Sequence, residues 1–513
     1  MGKYRLPTAL PRYLRDIQAR VDEVAKGYGL DVFPTIFEVV AYDQMSELAS
    51  YGGFPVRYPH WRFGMEYEQL SKSSEYGLSR IYEMVINNNP AVAYLLEGNS
   101  IVDQKLVMTH VYGHVDFFKN NFAFRVTNQG VDPRTGEPIR KWIDTMANHG
   151  AVVRRWANRV GIDVVEEFVD SCLSLENLID PQKPFLPPKS QIKSEEGEPD
   201  EEALEVSLLR VDRDYMEDYI NPQEFIDSQR EKAEAEREKA KKTPENPDRD
   251  VLGFLLDHAP LERWERDVLE VIRREAYYFW PQMQTKIMNE GWASFWHSRM
   301  MTEKVADDSE IIDYAERNAS VMETGSGRLN PYKLGVELFR HIEERWDKGQ
   351  FGKEWEDCDS LEARRSWDRR TGLGRKKIFE VRSLYNDVTF IDEFLTPDFV
   401  AEQKLYTFGY NQRNDRYEIE TRQFQAVKEK LLFSLTNAGQ PFIYVMDKNH
   451  GNRGELLLWH DHQGADLRID WARDVMKSLA RVWRRPVEVH TKVENKPTML
   501  RFDGKEHVQR PLK

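Results

Sequence analysis

Thr109-His110-Val111-Tyr112-Gly113-His114-Val115-Asp116-Phe117-Phe118-Lys119-Asn120-Asn121 is the stretch on which the reading of this chain turns. Ser100 and Asp103 precede it with the spacing of a capping box, so a helix is expected to start there and run through it. At about 100° per residue, measured from Leu106, His110 falls near 40°, His114 near 80°, Phe117 near 20° and Gly113 near −20°. Two imidazoles four residues apart therefore share one face, the geometry with which a helix grips a single metal ion. Gly113 on that face lets a second helix come close. Asp116, near −80°, points well away from His114. The alternative is a pair of core histidines satisfied by hydrogen bonds to their neighbours.

A second polar stripe favours the metal. Glu290-Gly291-Trp292-Ala293-Ser294-Phe295-Trp296-His297 lies in an otherwise apolar helical pattern, with Glu290, Ser294 and His297 within roughly 60° of one another. A carboxylate on such a face is costly to bury unless it is paired or bound to a metal. His110, His114 and Glu290 are the expected ligands, with His149 or His297 as a fourth ligand or a supporting group. His149 shares its face with Met146, Val153 and Trp156, so a satisfied core histidine is an equal reading there.

The spacing and the glycine before His114 resemble the His-Glu-x-Gly-His helix of zinc peptidases. Glu290-Gly-Trp is similar to the second helix of gluzincin-type peptidases, which supplies the third ligand. Val111 stands where those enzymes carry the glutamate that activates water. The base must then come from Glu66, Glu68 or His297. Carboxylates two residues apart share a face on a strand and diverge on a helix, so the role of Glu66 and Glu68 depends on which element they form.

The formal charge of −14 argues against a general nucleic-acid binder. Two cysteines, Cys172 and Cys358, lack any CxxC pairing and fit a reducing compartment. The N-terminus has no signal-peptide pattern, and no uncharged apolar run approaches the roughly 18 residues of a membrane span. A cytoplasmic protein is expected.

The fold expected is α+β: a largely helical N-terminal domain carrying a degenerate gluzincin-like metal helix pair, followed by a C-terminal α/β module. Residues 1–180 form the helical part with the histidine helix, and 181–250 a charged, partly disordered insertion. Residues 251–358 continue the helical domain with the Glu290 helix, and 359–513 form the C-terminal module. Helical spacing runs from about 10 to 45. Pro90 to Leu96 reads as a buried strand along which an extended substrate would pair. Further strands are expected at 388–391, 405–408, 441–446, 455–459 and 487–490. His450, His460 and His462 have loop-like neighbours and are read as exposed turns.

Tyr51-Gly-Gly-Phe-Pro, His60-Trp-x-Phe-Gly, Asn88-Asn89-Pro90, His110-Val-x-Gly-His114-x-Asp-Phe-Phe-Lys-Asn-Asn121 and Glu290-Gly-Trp-Ala-Ser-x-Trp-His297 together resemble the SpoVR family, named for stage V sporulation protein R. The resemblance implies a setting in sporulation, spore-cortex formation or stress response. It also implies a PrkA-type serine kinase or AAA+ protein and a von Willebrand A-like protein as partners. The leading reading is a metal-dependent hydrolase of peptide, amide or peptidoglycan-related bonds, with zinc as the ion and iron or manganese also suited to the ligands. The rival is a non-catalytic regulatory or scaffold partner of the kinase-like protein.

Overall fold

The computed structural model describes residues 10–75, 83–186, 243–322, 329–411 and 413–512, with 223, 225, 227 and 228. The expected insertion at 181–250 lies largely outside the described residues. The chain is helix-rich and of mixed α+β type. It divides into two compact units: Met1–Arg155 with Tyr278–Gly439, and Trp156–Tyr277 with Gln440–Lys513.

In the first unit, helix α1 (Arg12–Gly27) is followed by strand β1 (Thr35–Val40), where the helical spacing of the sequence had suggested continued helix. Thr-Ile-Phe-Glu-Val-Val is rich in β-branched and aromatic side chains, which favour a pleated surface once a ladder partner exists. That partner is β3 (Ala91–Leu96), all six of whose side chains are buried. It pairs in parallel with β1, Thr35 opposite Ala91, and antiparallel with β2 (Glu83–Ile86), Ile86 opposite Val92. In the order β1-β3-β2 the strand 91–96 is central. Its backbone groups are already taken on both sides, so no substrate pairs along it. That expectation is overturned.

Helices α2 (Tyr42–Ser50) and α3 (Trp61–Glu75) follow β1. Helix α4 (Ile101–Asn120) starts as the sequence indicates: the Ser100 side chain accepts from the Asp103 backbone N–H, and the Asp103 carboxylate takes the Ser100 N–H. From Val102 to Phe118 every residue but Leu106 is buried, so α4 runs through the core rather than over it. Helix α5 (Trp142–Val160) carries His149.

Helix α6 (Lys286–Met300), with Glu290, packs on α4 on one side and on α8 (Pro331–Asp347) on another. Both contacts are made through glycine. A Cβ on Gly113 would lie 2.6 Å from Ala293 Cα, and one on Gly291 would lie 2.5 Å from Gly335 Cα. Helix α7 (Ile311–Met322) lies against α4, and α9 (Gly374–Leu384) packs on α8 and α4. The N-terminus of α6 is capped from far away: the Asp387 carboxylate accepts from the N–H groups of Ile287 and Met288 at 2.8 and 2.9 Å.

Asp387 opens helix α10 (Asp387–Phe394), where the sequence had suggested a strand at 388–391. Val-Thr-Phe-Ile favours a strand by composition. The Asn386 cap on the Thr389 N–H and the burial of 387, 390, 391 and 394, one helical face, decide otherwise. A two-stranded hairpin, β4 (Thr407–Asn411) with β5 (Arg416–Thr421), and helix α11 (Phe424–Leu435) complete this unit.

The second unit is built on a five-stranded sheet in the order β10-β9-β8-β7-β6. Strands β6 (Phe442–His450), β7 (Glu455–Asp461), β8 (Val487–Val493) and β9 (Lys496–Phe502) are followed by β10 (His507–Pro511). Only β7 and β8 run parallel, and helix α12 (Ile469–Trp483) joins them. Leu456, Leu458, Val487, Val489, Leu500 and Phe502 form a buried face on which Met476, Leu479 and Trp483 of α12 pack. His450 and His460 belong to strands, not exposed turns. His460 is buried, with Nδ1 2.8 Å from Thr491 Oγ1. The loop-like residues fall in the β6–β7 turn at 451–454 and, with His462, in the segment that follows β7.

Asp250 anchors the helical side of this unit. Its side chain is fully buried, caps helix Val251–His258 through the Gly253 N–H at 3.0 Å, and binds Lys183 at 2.7 Å together with Arg273. Burial opposes its charge. The hydrogen bonds and charges of Arg273 and Lys183 outweigh burial and hold its pKa below the ordinary aspartate value. A depressed carboxylate pKa stabilises the fold above the unfolded-state value of about 3.9, and that contribution is lost as pH falls through the folded-state value. Asp250→Ala is expected to lose about 3–5 kcal/mol at neutral pH, because Arg273 loses its buried partner and Lys183 keeps only the longer pair to Asp248. Urea unfolding at pH 7 and pH 3 checks it: the gap between parent and variant narrows at the acid pH.

Candidate metal centre

His110 and His114 project from the middle of α4, one turn apart, and Glu290 from the second turn of α6. The Gly113–Ala293 contact brings the two helices close enough for these side chains to meet. Nε2 of His110 and Nε2 of His114 each lie 3.5 Å from the same oxygen, Oε2 of Glu290. The three donor atoms lie within 4.8 Å of one another. The two imidazole rings stand nearly perpendicular, 85° apart, with centroids 4.5 Å from each other. The histidine side chains are 5% and 6% exposed and that of Glu290 is 18% exposed, so the point of convergence is sheltered.

Neighbouring amides determine which ring nitrogens carry protons. Asn289 Oδ1 lies 2.9 Å from His114 Nδ1, and an amide oxygen only accepts, so Nδ1 holds the proton and Nε2 the lone pair. Asn318 Oδ1 of α7 lies 3.1 Å from His297 Nε2, which therefore donates and leaves His297 Nδ1 as an acceptor. His110 Nδ1, 2.8 Å from that nitrogen, must donate to it, which in the neutral ring puts the lone pair of His110 on Nε2. Burial, and then repulsion from His110, lower the pKa of His114 to about 4 and that of His297 to about 3, so both rings are neutral near pH 7.

With both rings neutral, two imidazole lone pairs and a carboxylate oxygen face one another. Glu290 Oε2 is shut off from solvent, and among the described residues the two imidazoles are what face it. Three acceptors held in this way repel unless a cation sits among them. The donor set of two imidazoles and a carboxylate fits zinc, iron or manganese, and the orienting amides are the supports such ligands have in metal sites.

The remaining candidate residues lie as follows. His297 is buried, and both its nitrogens are engaged, by His110 and Asn318. His149 is buried on α5 beside the close contact of Gly150 with Arg57. Among the described residues it belongs to neither cluster able to hold an ion. Glu66 and Glu68 stand on the exposed helix α3, where carboxylates two residues apart diverge. Glu66 pairs with Arg62 at 3.1 Å and Glu68 with Lys72 at 3.2 Å. Val111 is fully buried among core side chains.

Asp116 serves a different network. Its carboxylate takes Trp292 Nε1–H of α6 and Arg382 Nη1 of α9, each at 2.8 Å, and the Asp31 N–H at 2.7 Å. Asn289 and Asn318 escaped sequence reading. Asn289 adjoins Glu290, and a buried asparagine beside a buried glutamate was the available signal. Asn318 sits on a helix with no pattern to single it out.

The chain belongs to the SpoVR family: the family model described as "SpoVR like protein" matches residues 9–440. Among curated proteins, the uncharacterized protein YcgB of Escherichia coli (strain K12) is 30% identical over 499 residues, covering 91% of this chain and 89% of that protein. No solved structure matches. Among the described residues, no helix is long and apolar enough to cross a membrane.

Proposed function

We propose that this chain is a metal-dependent hydrolase of peptide, amide or peptidoglycan-related bonds, with a helix pair akin to that of gluzincin peptidases. The observation that carries the reading is the convergence of His110 Nε2, His114 Nε2 and the Glu290 carboxylate on one sheltered point. His110, His114 and Glu290 hold the ion, with zinc the first choice and iron or manganese the others. A bound ion of this kind polarises a carbonyl and lowers the pKa of its water. Asn289 and the His297–Asn318 pair keep protons off the metal-facing nitrogens, so His297 is a positioning residue. Val111 removes the usual base. The proton must pass to a group from another segment, with Glu66 and Glu68 the carboxylates proposed for it and His149 the reserve ligand. The setting proposed from the family name is sporulation or stress response, in the cytoplasm.

The rival is a non-catalytic regulatory or scaffold partner of a PrkA-type serine kinase or AAA+ protein, acting with a von Willebrand A-like protein. The burial of Val111 in the apolar core favours it. Metal analysis of the purified chain tests the primary reading. Parent protein is expected to hold an equivalent of metal that His110→Ala and Glu290→Ala lack, and Asn289→Ala is expected to bind roughly 10–100-fold more weakly. Equal metal in parent and ligand variants overturns the metal centre. Metal without turnover of peptides or muropeptides selects the rival.

A further inference from the structure

We propose a second metal site, formed by His450, Glu488 and His490 on the face of the C-terminal sheet opposite α12, that takes one zinc-class divalent ion. Its donor set repeats that of the first centre on unrelated elements, and it stands whether or not the first centre binds metal. Glu488 and His490 are two apart on β8 and so project from the same face. His490 Nε2 donates a 2.7 Å hydrogen bond to Oε1 of Glu488, a proton that an ion would displace, and His450 Nε2 lies 3.5 Å from the same oxygen. The three donor atoms lie within 4.8 Å of one another.

His450 comes from β6, two strands away and about 10 Å across the sheet. The β6–β7 ladder shifts register between Val445 and Asp447 and again between Asp447 and His450. Such irregularities re-aim side chains, and here the last one precedes the histidine that reaches over β7. The cation that would otherwise neutralise Glu488 is held elsewhere. Arg501 is its cross-strand neighbour on β9, but the Arg501 guanidinium binds Glu455 at 2.8 Å, beside Arg453 at 2.7 Å. Arg453 attracts Glu488 at longer range, and among the described residues the two imidazoles are the close partners of its carboxylate.

The Glu488 side chain is 9% exposed, whereas those of His450 and His490 are 31% and 29% exposed. An ion there would have a shielded carboxylate and open coordination positions toward solvent. His490 also lines a cavity of about 470 Å³ with Trp459, His462 and Lys492. Imidazole donors select borderline transition metals over calcium or magnesium, which prefer all-oxygen sites.

The test is calorimetric titration of the chelator-treated full-length chain with Zn²⁺, with Co²⁺ absorption as a second readout. The reference protein carries His110→Ala and Glu290→Ala, which disable the first centre. It is expected to keep one equivalent and to show visible Co²⁺ bands. Adding His450→Ala and His490→Ala is expected to abolish both, and Glu488→Gln to weaken binding roughly a hundredfold. Because the two histidines are partly exposed, their variants should melt like the reference, and a thermal scan verifies this. If the first centre holds no metal, the parent takes one equivalent, and only the His450, His490 and Glu488 changes remove it. Zinc uptake unaffected by those changes overturns the proposal, whatever the first centre does.

Discussion

Gly113→Ala is expected to destabilise the protein by about 2 kcal/mol and to weaken metal binding at the His110–His114–Glu290 centre. In a solvent-facing helix the same change stabilises by about 1 kcal/mol, because alanine is the better helix former. Here the added methyl would lie 2.6 Å from Ala293 Cα, 3.2 Å from its Cβ and 3.4 Å from its carbonyl oxygen. A flexible side chain could swing aside; the Ala293 backbone can yield only by moving α6. Overpacking of a rigid contact costs about 1–3 kcal/mol, sometimes more, which exceeds the propensity gain. The movement matters chemically because Gly113 precedes His114 directly and Ala293 is one turn beyond Glu290. Prying the helices apart lengthens the histidine–carboxylate separations. Urea unfolding and zinc titration of the same sample read both effects. A Gly113→Ala protein as stable as the parent and with equal zinc affinity would show that the close approach is dispensable.

Asp116→Ala is expected to cost more, about 3–5 kcal/mol, the range for removing one partner of a buried ion pair. The carboxylate is fully buried and the Arg382 side chain is 9% exposed. Deleting the carboxylate strands the guanidinium and also leaves the Trp292 indole N–H and the Asp31 N–H without their acceptor. These partners belong to α6, α9 and the segment after α1, so the loss falls on the junction that keeps α4 and α6 in register two residues beyond His114 and Glu290. Arg382→Ala should show a similar loss. The double variant should be less damaged than the sum of the two, because neither charge then lacks a partner. Denaturant midpoints for the cycle measure this, and strict additivity would contradict it.

The parts of the fold that could be read in advance are those fixed by short-range rules. Ser100 and Asp103 announced the start of α4, the run 91–96 announced a buried strand, and the polar residues at 290, 294 and 297 announced an interior face. The parts that escaped depend on partners distant in sequence. Thr35–Val40 becomes a strand only because β3 supplies a ladder. Residues 387–394 look like a strand until Asn386 caps them, and the cap of α6 comes from Asp387, about a hundred positions later. At the candidate metal centre, spacing singled out His110, His114 and Glu290, which the structure brings together, but the proton arrangement was not legible. It rests on Asn318, whose importance comes entirely from the ring it meets.

The division of the chain into interleaved units bears on its synthesis. The first segment of the second unit ends at Tyr277, but the segment that carries its sheet begins only at Gln440, after the rest of the first unit has been made. At about 5–20 residues per second, the intervening stretch takes roughly 8 to 30 s to translate. During that interval the segment ending at Tyr277 has no strands to pack against, and its apolar side chains lie open to chaperones or to neighbouring nascent chains. A chain halted just after Gly439 would hold both segments of the first unit, with the other half-unit still lacking its sheet.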